Sequence, residues 1–121
     1  MIRASRFASL GLVAGALLVA GAAQAQGNAA RGKTLFQSRG CTGCHAFGKK
    51  VSGPDLVGVT DRRSAEWLKT WLKDPPAMMA TDSTAKQLLA DAHDIKMPNL
   101  HLSDPDIDAL IAYMAEAGKK K

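Results

Sequence analysis

Cys41-Thr42-Gly43-Cys44-His45 is the stretch on which the reading of this chain turns. Two thiols three positions apart can add to the two vinyl groups of one haem. The imidazole that follows at once is then held under the iron as a fixed ligand. Three other chemistries use parts of the pattern. A redox-active dithiol needs a βαβ setting and leaves His45 without a role. Alternating apolar and polar runs of strand length are almost absent here; Leu56 to Val59 is the one short candidate, and Gly58 interrupts it. A structural zinc needs four ligands, which Cys41, Cys44, His45 and one of His93 or His101 just supply. A plain disulfide between the two cysteines is the third.

Thioether formation needs free thiols delivered outside the cytoplasm, and the sequence upstream supplies a route. Arg3 and Arg6 form a positive start, Leu10 to Ala20 is apolar, and Ala23-Gln24-Ala25 is a small-x-small cleavage site. That order is the order of a secretory signal peptide, so residues 1–25 read as a signal and 26–121 as the mature domain. An uncleaved membrane anchor is the competing reading, but the Gly and Ala content makes the apolar run weakly hydrophobic.

The chain has 121 residues, 46% hydrophobic and 22% charged, which excludes a disordered or collagen-like polypeptide. No internal repeat or interior linker breaks it, so it reads as one domain. Two cysteines are too few for a disulfide framework. Aromatics are only 5%, and a domain this short buries a limited core, so a cofactor is expected to fill its middle. The formal net charge of +5 in an exported haem protein does not point to nucleic acid.

Helical signals flank the pentapeptide. Asn28 is placed to cap a helix over about 29–38 that carries Leu35 and Phe36. Ser64 caps a second, with Trp67, Leu68, Trp71 and Leu72 on one stripe and Pro75-Pro76 at its end. Ser83 caps a short third helix with Leu88 and Leu89. Ser103, with Asp106 three residues on, starts the last helix, whose stripe is Ile107, Leu110, Ile111 and Met114. Residues 40–60 and 93–102 read as loops.

Gly32, Phe36, the pentapeptide, Gly53-Pro54-Asp55-Leu56, Met97-Pro98 and a last helix with Tyr113 follow one another as in a class I bacterial cytochrome c. The chain resembles that family over essentially all of residues 28–117. Its attachment site lies near the mature N-terminus, unlike that of the four-helix-bundle cytochromes c′. The resemblance implies an all-α fold of three to five helices around one covalent haem c. Cys41 and Cys44 would hold the porphyrin, and His45 would be the proximal ligand through Nε2. The carbonyl of Pro54 would accept the His45 Nδ1–H, since a metal-bound imidazole needs such a partner to fix its ring. Gly32 would allow close approach of the first and last helices, with Phe36 and Tyr113 at the crossing. The other candidates for the sixth position are Met78, Met79, Met114, His93 and His101; the family places its distal ligand at Met97.

A six-coordinate His/Met iron has a raised potential and no open site for substrate. No Ser/His/Asp set, paired-carboxylate signature or Gly-rich phosphate loop is evident. The expected function is therefore that of a soluble, monomeric periplasmic electron carrier, not an enzyme. Its partners would be redox proteins of a respiratory chain, without stable membrane insertion after cleavage. Arg39, Lys49 and Lys50 bracket the attachment loop and are placed to steer an acidic partner. Arg62 and Arg63 are placed to pair with haem propionates. Two other classes remain open. One is an electron-entry subunit bound to a dehydrogenase or reductase; the chain also resembles small cytochromes that accompany nitrous oxide reductase. The other is a ligand-binding sensor haem.

Overall fold

The computed structural model describes residues 28–119, and the proposed signal segment 1–25 lies outside them. The described residues form helices and loops with no strand. Helix α1 covers residues 28–38. A 3-10 turn at Cys41–Gly43 follows, then α2 (Val59–Arg62), α3 (Ala65–Lys73), α4 (Pro75–Thr81), α5 (Ser83–Asp91) and α6 (Asp104–Ala117). Among these none is long and apolar enough to cross a membrane.

The architecture is all-α, as expected, with six helices among the described residues in place of three to five. The additional ones are the four-residue α2 and α4. Pro75-Pro76 ends α3 but also begins α4, because a proline at the first helical position forfeits no hydrogen bond. Asp74 serves both helices: its N–H donates to Thr70 O at 3.3 Å, and its Oδ1 accepts from Ala77 N at 3.2 Å. Ser64 and Ser103 cap α3 and α6 as expected, accepting from Trp67 N (3.1 Å) and Asp106 N (3.3 Å). The cap of α5 is Asp82, which accepts from Ala85 N at 2.8 Å, and Ser83 is already helical. Asn28 likewise lies inside α1.

Helices α1 and α6 cross at Gly32. A Cβ there would overlap Ala109 O and stand 2.7 Å from Tyr113 Cβ. Phe36 meets Tyr113 with ring centroids 5.4 Å apart, and Phe47 closes the cluster at 5.6 Å from both. Across the same crossing Arg31 pairs at 2.5 Å with Asp106, a buried carboxylate in the first turn of α6. Gly32→Ala is expected to force the two backbones apart and cost about 3 kcal/mol, the upper end of the usual overpacking range. The midpoint of denaturant unfolding of the haem-loaded protein measures it.

The main core joins Phe36, Leu56, Leu72, Leu102, Ile107, Leu110 and Met114. A smaller cluster of Met78, Met79 and Ala85 holds the α4–α5 hairpin, and Trp71 packs against both. The two clusters, with the loops that flank them, enclose the site.

Candidate functional site

A cavity of about 300 Å³ opens between these layers. The attachment loop forms one side. Cys41 is half-buried on the 3-10 turn and Cys44 is exposed; both thiols are free. Burial pushes the Cys41 thiol above its ordinary pKa, against a backbone hydrogen bond that lowers it, and the neighbouring Cys44 adds to the rise. The turn closes through Cys44 N and His45 N, which donate to Cys41 O at 3.2 and 2.9 Å.

His45 Nδ1 lies 3.1 Å from Pro54 O. A carbonyl can only accept, so the proton sits on Nδ1 and Nε2 is the nitrogen free to bind a metal. The ring rests on Gly53, where a Cβ would stand 2.5 Å from His45 Cε1. Asp55 braces the loop by accepting from Gly48 N (2.8 Å) and Val57 N (2.9 Å). Those N–H groups, of Val57 first and then Gly48, hold its carboxyl below the usual pKa, with Arg62 adding to the effect.

Met97 reaches the same cavity from the loop between α5 and α6, and Met79 and Met114 also line it. Met78 lies instead along a separate groove between α3, α4 and α6. His93 and His101 are exposed, stand in left-handed backbone at φ 53° and 52°, and are not among the cavity-lining residues. The described residues contain no group of three or more His, Cys, Asp or Glu that could hold a metal ion, so the zinc reading has no support in the fold.

The cations divide. Arg39 lines the cavity, together with Lys96, which the charge pattern did not single out. Lys49 and Lys50 are exposed on the loop beyond it, and Lys50 Nζ donates to Asp91 O at 2.8 Å. Arg62 and Arg63 line the cavity, but Arg62 already donates to Val57 O and to Asp55 O. Arg63 lies 5.4 Å over the Trp67 ring, within cation–π range.

Trp67 and Trp71 read from sequence as part of a core stripe. In the structure they are a cavity wall, stacked 5.5 Å apart and within 7° of parallel. Asp82 holds Trp67 by accepting from its Nε1 at 3.3 Å. Their four-residue spacing marked a shared helix face without saying what that face covers.

These features define a haem-binding protein of the covalent kind. The walls are apolar, two free thiols border the cavity, an imidazole stands with one nitrogen fixed, and the volume falls at the low end of the roughly 300–1,000 Å³ usual for ligand sites. Haem fits this donor set. Comparison agrees with that class. The profile of the Cytochrome c family matches residues 29–118. A cytochrome c from Rhodothermus marinus superposes with a TM-score of 0.72 at 25% identity, over 96% of this chain and 90% of that one. An engineered cytochrome c from the same organism, solved with a carbene intermediate bound, gives a TM-score of 0.67 at 25% identity over the same shares of the two chains. The search of curated proteins finds no match. The chain belongs to the cytochrome c family. Its cofactor is the family's covalently bound haem c, for which Cys41 and Cys44 are the attachment cysteines, and family and fold support haem-based electron transfer.

Proposed function

We propose that this chain is an exported one-electron carrier in which His45 and Met97 hold the iron, and that it shuttles between respiratory redox proteins in the periplasm. The observation that carries the reading is the convergence of His45, Met97 and both cysteines on one apolar cavity. Haem c supplies the Fe(III)/Fe(II) couple. Cys41 and Cys44 anchor the porphyrin, and Pro54 fixes the imidazole through its carbonyl. The thioether favours the ferrous form, and the apolar walls exclude water. His45 and Met97 together would leave the iron no open site for substrate, so the reading is of a carrier and not an enzyme. The Arg3/Arg6 start, the apolar run and the cleavage site before Gln26 support export.

The docking charges in this reading are Arg39, Lys49, Lys50 and Lys96, facing an acidic partner. On another face, Lys69 pairs with Asp108 and Lys73 with Asp104. Lys49→Glu with Lys50→Glu is expected to slow association with an acidic redox partner about tenfold or more at low salt. Lys69→Glu with Lys73→Glu changes the net charge equally and is expected to matter much less, because charges beyond the Debye length of about 8 Å are screened. Stopped-flow rates against ionic strength compare the variants. Equal slowing by both pairs, or a salt-independent wild-type rate, contradicts this docking face.

One observation favours a second reading, a subunit docked on a dehydrogenase or a reductase such as nitrous oxide reductase. Val51 and Ile95 are large apolar side chains left 41% and 53% exposed, and Ile95 borders the cavity. Co-purification of the native protein with an enzyme at high salt would establish that reading.

A further inference from the structure

We infer that Gly53 is a positioning residue for His45: its bare Cα is the surface against which the imidazole lies, and together with the Pro54 carbonyl it sets the orientation of the ring. The inference rests on the reading that His45 ligates the iron. A Cβ on Gly53 would stand 2.5 Å from His45 Cε1, 2.8 Å from Nδ1 and 3.0 Å from Cys44 O. Unstrained carbon contacts need about 3.5–4.0 Å. Gly53 is absent from the positive-φ glycines, which are Gly40, Gly48 and Gly58. Its backbone therefore has a conformation open to other residues, and only space demands glycine here.

The crowding has one outlet. Gly53 N donates to Cys44 O at 2.7 Å, and Gly53 O accepts from Val51 N at 3.2 Å. The first bond holds the residue against the attachment loop, which the thioethers would tie to the haem, and the second closes a tight turn over residues 51–53. A methyl group at position 53 therefore displaces the ring more readily than the backbone. Displacement lengthens the Nδ1–H bond to Pro54 O. An imidazole that donates less strongly through Nδ1 is a less basic ligand. It stabilises the ferric state less, so the potential should rise.

The test compares haem-loaded wild type, Gly53→Ala and Gly118→Ala. Gly118 is the control for crowding as such: a Cβ there would stand 2.6 Å from Met114 O and 2.9 Å from Leu56 O, with no His45 atom among its nearest neighbours. Both variants should lower the unfolding midpoint. Only Gly53→Ala should displace the hyperfine-shifted haem methyl resonances of the ferric protein, which report axial-ring orientation, and raise the reduction potential. Unchanged resonances in Gly53→Ala, or equal displacement in both variants, overturns the assignment. Wild-type spectra supply a measurement that needs no variant: the Gly53 Hα protons should show cross-peaks to His45 Hε1, and their absence overturns it too. A wild-type protein without an axial-histidine signature overturns the underlying ligation reading, a failure distinct from that of Gly53.

Discussion

A chain carrying Cys41→Ala and Cys44→Ala is expected to show no haem stain after denaturing electrophoresis and to lose most of its helical signal. The first loss follows from chemistry, since no thiol remains to form a thioether with a vinyl group. The second follows from burial. The cavity of about 300 Å³ is lined by Leu68, Leu72, Trp67 and Trp71 from α3 and by Leu110 and Met114 from α6. Without haem that apolar lining faces water, and each large side chain so exposed forfeits about 1.5–3 kcal/mol of burial. Total stabilities of domains are about 5–15 kcal/mol. A few such side chains are comparable to the whole stability of a small domain, so the haem is part of the core as much as it is the redox centre. Haem stain and far-ultraviolet circular dichroism check the two halves separately. A well-folded, helical, haem-free variant would show that the protein core suffices without the cofactor.

Met97→Ala is expected to keep the haem, since Cys41, Cys44 and His45 are untouched, and to open the sixth position. The reduction potential should fall as the thioether is lost. The ferrous protein should pass from no detectable carbon monoxide binding to stoichiometric binding, and the far-red thioether-to-iron band of the ferric protein should disappear. Met79→Ala is the informative comparison, because Met79 lines the same cavity. Met79, however, is 8% exposed and packs with Met78 and Ala85 on the α4–α5 hairpin. Its loss should cost about 2–5 kcal/mol of stability as a buried large-to-small change and leave the far-red band in place. Loss of the band in Met79→Ala and its retention in Met97→Ala would exchange the two roles. The band surviving in both variants would remove Met97 from the iron altogether.

What the amino-acid order determines here is what depends on near neighbours in the chain. The pentapeptide, the caps at Ser64 and Ser103, and the apolar stripe of α6 each involve residues within a few positions of one another, so composition and spacing suffice to read them. Gly32 was legible through resemblance to the family, and the α1–α6 crossing gives the physical reason. Pro75-Pro76 shows where local reading stops short. The same two residues end one helix and open the next, and only the backbone path after Asp74 distinguishes a stop from a start.

The tertiary structure decided everything that requires distant segments to converge. Trp67 and Trp71 became a cavity wall through distant partners: Asp82, fifteen residues beyond Trp67, holds the Trp67 indole N–H, and Trp71 packs against both core clusters. Met78 and Met79 are adjacent in sequence, yet only Met79 lines the cavity, because neighbouring helical side chains point in different directions. Arg62 read as a partner for haem propionates, and folding also turns its guanidinium to carbonyls of its own loop. Gly53 showed no reason to be glycine until the His45 ring was found lying on it. A side chain's type is written in the sequence, but the space and partners left to it are set by atoms brought near through folding.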